Sequence, residues 1–103
     1  RLNIGTDDFK AYGNEMIAAL EKYAKKQPDF KIAPDNHEGI RVSFDKEQGA
    51  GWFLVRLSLH DPLIPVNVES DREGGVRIIT EKLYAFLKDY DKLDLSPIER
   101  YLK

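Results

Sequence analysis

In the segment Arg56-Leu57-Ser58-Leu59-His60-Asp61-Pro62 a guanidinium, a hydroxyl, an imidazole and a carboxylate lie close together along the chain. On a strand, alternate side chains project to one face, so Arg56, Ser58 and His60 share a side. A guanidinium fork grips phosphate through two parallel hydrogen bonds, and the free N–H groups of a turn add further donors. The chemistry that this set of groups offers is anion binding, with phosphate as the natural guest. The competing structural reading is that Arg56 pairs with a neighbouring acid while Asp61-Pro62 only shapes a hairpin turn.

Other chemistries fit less well. A nucleophilic triad of Ser58, His60 and Asp61 needs the base beside the hydroxyl and the acid behind the base, which residues packed along one strand and turn seldom achieve. His37-Glu38 and His60-Asp61 offer metal-ligand types, but no ligand spacing links them, so no metal site is expected. The carboxylates are dispersed, and no pair stands out as general acid and base. Lys22, Lys25 and Lys26 read as helix C-terminal charges. Trp52 and Phe53 invite comparison with RNA-binding sheets, yet adjacent strand residues point to opposite faces, and core packing is the expected role.

The elements that must position the Arg56 segment follow from periodicity. Residues 1–5 read as a strand stub. Phe9, Tyr12, Met16, Leu20 and Tyr23 fall on one helical face, which predicts a helix over 7–26, capped within Thr6-Asp7-Asp8 and stopped by Pro28. Gly13 inside it costs about 1 kcal/mol relative to Ala. Alternation predicts strands over 39–45, 52–58 and 63–69, the second central and the third, with Pro65, at an edge. Val76, Ile79, Leu83, Phe86 and Tyr90 restore the helical period over 74–90. In the tail, 91–103, Ser96-Pro97-Ile98-Glu99 combines a capping box with Pro at the first helical position and suggests a short helix. The expected fold is α+β, a two-layer sandwich in which two helices cover one face of a four-stranded, mostly antiparallel sheet.

Composition bounds the function. The chain has 103 residues, 18 acidic and 16 basic, two His, no Cys and 42% hydrophobic residues. That length suits one domain with its own core. The missing Cys removes disulfides, thiolate metal sites and cysteine nucleophiles. A net charge of -2 offers no general attraction to nucleic acid. No apolar run approaches the roughly 20 residues of a membrane span, and no signal-peptide pattern opens the chain, so a soluble, cytoplasmic protein is expected. The sequence starts at Arg1 and its one Met is Met16, which suggests a piece of a longer chain.

Glu38-Gly39-Ile40-Arg41-Val42-Ser43-Phe44, Gly51-Trp52-Phe53-Leu54-Val55-Arg56, Ser58, Pro62 and Val66-Asn67-Val68-Glu69-Ser70 together resemble the C-terminal domain, domain 4, of the α-D-phosphohexomutases. The likeness is nearest to the phosphomannomutase/phosphoglucomutase branch and runs from residues 2–4 to the second helix. It implies a TATA-box-binding-protein-like fold and a loop, Arg-x-Ser-(Asn or Gly)-Thr-(Glu or x)-Pro, that grips the phosphate of a hexose phosphate or bisphosphate. On that pattern Arg56, Ser58, the backbone at Leu59, and His60 hold the substrate phosphate. Leu59 stands at the Asn/Gly position, His60 at the Thr position and Asp61 at the usual Glu. The resemblance also implies three partner domains in a parent enzyme, carrying the phosphoserine, the Mg2+ site and the sugar-recognition loop. This segment alone would then be catalytically inert, a non-catalytic anion-binding module being the alternative.

Overall fold

A computed structural model describes residues 1–34, 39–58 and 61–102. The elements run β1 (Leu2–Asn3), α1 (Phe9–Lys25), β2 (Lys31–Ile32), β3 (Gly39–Ser43), a 3-10 turn (Lys46–Gln48), β4 (Gly51–Arg56), β5 (Leu63–Ile64), β6 (Val66–Ser70), α2 (Gly75–Leu87) and α3 (Ser96–Leu102). The fold is α+β, with a four-stranded sheet in the order β2-β3-β4-β6 and every pairing antiparallel. Its fourth strand is β2, whereas residues 1–5 stand outside this sheet. Leu2 and Asn3 instead pair with Ile64 and Leu63 in a separate two-stranded ribbon.

The strand expected over 63–69 is divided at Pro65. The Arg56 N–H donates to the Pro65 carbonyl (3.2 Å). Proline has no N–H to return, so the ladder is half-formed there and the strand is interrupted for one residue. Residues 63–64 join β1, and Val66–Ser70 continue along β4 at the sheet edge.

Pairing of Ile40 with Val55, and of Phe53 with Val42 and Val68, aligns one apolar face. Ile40, Val42, Phe44, Phe53 and Val55 on that face are buried, together with Met16 and Leu20 of α1 and Ile79, Leu83 and Leu87 of α2. A string of aromatic contacts crosses the layers. Tyr12 meets Tyr90, which meets Phe86, then Tyr23, then Phe30, which touches both Phe44 (4.9 Å between centroids) and Phe53 (6.1 Å). Edge-to-face pairs of this kind add to simple area burial. Lys82 of α2 ties the loop after α1 to the 3-10 turn, donating to Asp29 Oδ2 (2.8 Å) and Gln48 Oε1 (3.0 Å).

The opposite sheet face carries Arg41, Trp52, Leu54 and Asn67. Trp52 is therefore not a core residue; the Arg41 guanidinium lies over its ring at 4.4 Å, a cation–π contact, and core packing accounts for Phe53 alone.

Helix ends differ from the sequence expectation. The N-cap of α1 is Asp8, whose side chain makes no capping bond. The capping box at α3 does not form, because Asp94 is the nearer acceptor: the N–H and O–H of Ser96 both donate to Asp94 Oδ1 (3.1 and 2.6 Å). Glu99 instead accepts from the Tyr84 hydroxyl (2.8 Å), and Pro97 is the second residue of the helix. No helix among the described residues is long and apolar enough to cross a membrane.

The two Ser96 bonds hold the Asp94 carboxyl below its ordinary pKa. A folded value below the unfolded one stabilises α3 above the unfolded pKa, and that contribution is lost as pH falls through the folded value. In an acid titration the Ser96 amide is expected to move with the Asp94 carboxyl while core amides stay fixed. Phe53→Ala is expected to lower the unfolding free energy by about 3–5 kcal/mol in urea denaturation, as for a large core ring removed from a packed site.

Candidate functional site

The hairpin between β4 and β5 carries the Arg56 segment, and backbone bonds hold both of its arms. The Ser58 N–H donates to the Leu63 carbonyl (3.3 Å), and the Leu63 N–H donates to the Asp61 carbonyl (2.7 Å). Beyond the turn, the Ile4 N–H donates to the Pro62 carbonyl (2.7 Å) and so fastens the hairpin to the first strand. That strand is itself tied to the C-terminal segment, with the Gly5 N–H donating to Lys92 and the Asp94 N–H to Asn3.

Two glycines let other elements approach this hairpin. A Cβ at Gly39 would overlap the Val55 carbonyl and press on Arg56 Cα, so β3 lies against Arg56 only because the position is glycine. Gly13 is buried, and a Cβ there would meet Leu57 Cδ1 at 2.6 Å. Its helix-propensity cost thus has a packing reason: α1 lies close over Leu57, between Arg56 and Ser58.

Arg56, Ser58 and Asp61 line one polar cleft of about 280 Å³, shared with Arg1, Asn67 and the Pro65 turn. Arg56 forms no ion pair and no side-chain hydrogen bond with any described residue. No described acid neutralises it, although the Asp61 carboxylate lines the same cleft; Glu38 lies outside the described residues. Ser58 Oγ accepts a long bond from the Asp61 N–H (3.4 Å), and no described group takes its own proton. The described part of the site therefore presents an unpaired guanidinium and a hydroxyl donor to solvent, with one carboxylate at the rim.

Leu59 and His60, the other two residues of the expected phosphate grip, lie outside the described residues, as do His37 and Glu38. Ser58 accepts from a backbone amide of its own turn and stands in no triad arrangement with the described Asp61. No three acids or histidines among the described residues converge to hold a metal ion. Two lining residues were not anticipated from the sequence. Asn67 was legible in principle, since it sits on the open face by strand alternation; Arg1 was not, because only the β1–β5 pairing brings it there.

Compared with family models, curated proteins and solved structures, the chain matches none.

Gly39→Ala is expected to cost about 1–3 kcal/mol, the usual range for forcing atoms into a packed contact. Its largest amide shifts should fall at Val55 and Arg56, and an unchanged spectrum there would mean that β3 does not brace the site.

Proposed function

We propose that this chain is the substrate-phosphate-binding domain of an α-D-phosphohexomutase of the phosphomannomutase/phosphoglucomutase kind, with the TATA-box-binding-protein-like fold of that family. The observation that carries the reading is the Arg56 guanidinium, without an ion pair to any described residue, lining one polar cleft with the hydroxyl of Ser58. A guanidinium left without an acid, next to a second donor on a braced turn, is suited to a doubly charged phosphate.

On this reading the parent enzyme moves a phosphoryl group between the 1- and 6-hydroxyls of a hexose phosphate, through an enzyme phosphoserine and a bisphosphorylated sugar. Arg56, Ser58, the Leu59 backbone and His60 hold the phosphate that is not reacting. Binding energy gathered at that remote group positions the reacting end, which raises the rate of the chemical step. Closure over the bound sugar excludes water, which would otherwise take the phosphoryl group.

The phosphoserine and the Mg2+ belong to the partner domains. The described residues include no convergent acids to hold that ion, and no step here runs through it. The partners are the hexose phosphate and the three other domains, with neither nucleic acid nor membrane involved, and the setting is cytoplasmic.

Titration of glucose 1-phosphate into 15N-labelled protein is expected to shift amides of residues 56–62 at millimolar ligand. Arg56→Ala should weaken binding about tenfold, as for loss of a charge-assisted bond, and Arg56→Lys should weaken it severalfold because the ammonium lacks the planar fork. Equal response to inorganic phosphate and glucose 1-phosphate would favour a simple anion-binding module, and no response at tens of millimolar would sink both readings.

A further inference from the structure

The cleft holds more positive charge than the Arg56 segment supplies. The β1–β5 pairing sets Leu2 opposite Ile64 and Asn3 opposite Leu63, which brings Arg1 to the Pro65 turn and into the wall of the cleft that Arg56 lines. Like Arg56, Arg1 is exposed and has no ion pair or side-chain hydrogen bond with a described residue. Of the other arginines, Arg72 donates to the Lys46 carbonyl, Arg77 pairs with Glu81, Arg41 lies over Trp52, and Arg100 lines a different hollow beside Tyr84 and Glu99. Arg1 and Arg56 thus set two guanidinium groups with no partner among the described residues in one small cleft, while its single described carboxylate, Asp61, bridges to neither. Like charges held together and only partly offset by one carboxylate repel one another, and a dianion entering between them reduces that repulsion.

We propose that Arg1 is a second phosphate-binding residue of the cleft, and that the pair Arg1 and Arg56 selects a dianionic phosphate monoester over a singly charged diester. Asp61 sets the limit of that selectivity, because its carboxylate repels the same ligand. This rests on the reading that the cleft holds a phosphate, and the test separates the two.

The probes are methyl phosphate and dimethyl phosphate at pH 8, where the monoester carries close to two charges and the diester one. Each is titrated into the 103-residue chain with its amino terminus acetylated in every sample, so that only the side chain of residue 1 varies. Arg1 is exposed and bonded to nothing described, so Arg1→Gln leaves the fold intact. Arg1→Gln is expected to weaken methyl phosphate about fivefold and dimethyl phosphate less than twofold, because the removed guanidinium attracts a dianion more strongly than a monoanion. Asp61→Asn should strengthen methyl phosphate severalfold, and Arg56→Ala should weaken both ligands. Unchanged binding in Arg1→Gln with loss in Arg56→Ala overturns the second-arginine proposal and leaves the phosphate reading standing. Equal weakening of both ligands by Arg1→Gln overturns the selectivity, and no binding of either ligand to the unsubstituted chain overturns the phosphate reading and the proposal together.

Discussion

The arrangement of the cleft follows from one missing donor. Pro65 accepts a hydrogen bond from Arg56 and has none to give back. The ladder lacks that one bond and resumes at Ser58, whose N–H donates to the Leu63 carbonyl. Val66–Ser70 continue along β4, while Leu63 and Ile64 also pair with β1, which brings Arg1 into the lining of the cleft. Substituting Pro65 would therefore alter the site through backbone pairing, not through any side chain of its own.

The core behind this edge is built to stay still. Phe53, Phe44 and Phe30 join the sheet to Tyr23 and Phe86, so both helices rest on the same aromatic string. Lys82, with its side chain only about a quarter exposed, adds a partly buried ion pair that keeps more strength than a surface one. A ligand grip that depends on a guanidinium fork needs such a base, because an error of one ångström spoils a bidentate contact. The glycines at 13 and 39 transmit that rigidity, letting α1 touch Leu57 and β3 touch Arg56, the two residues that precede Ser58.

Long periodic segments were legible from the residues alone. Both helices, the central place of β4 and the edge place of the Val66 strand follow from spacing and from Pro65. What escaped the sequence was short or non-local. β2 has two residues, too few to show any period, and the stub at residues 1–5, though read as a strand, finds its partners some sixty positions away. The capping box failed for a local reason: Asp94 competes with Glu99 for the Ser96 amide and lies closer along the chain. Within the site, Arg56 and Ser58 were visible as a motif, whereas Arg1 and Asn67 enter only through strand pairing.

Net charge and local charge act differently at the cleft. A chain of net charge -2 repels polyanions at long range, so the cleft gains nothing from general steering. Attraction must arise at close quarters, within a Debye length of about 10 Å at 0.1 M salt. Two guanidinium groups beside one carboxylate give the described lining a net charge of +1, enough to hold one small anion and too little to track a nucleic-acid backbone. An Arg56–Asp61 bridge would leave that net charge unchanged but would occupy the Arg56 fork, at a gain of only about 0–1 kcal/mol for an exposed pair. Forgoing so small a stabilisation leaves the guanidinium fork open to a ligand, and a phosphate dianion brings to it twice the charge of a carboxylate.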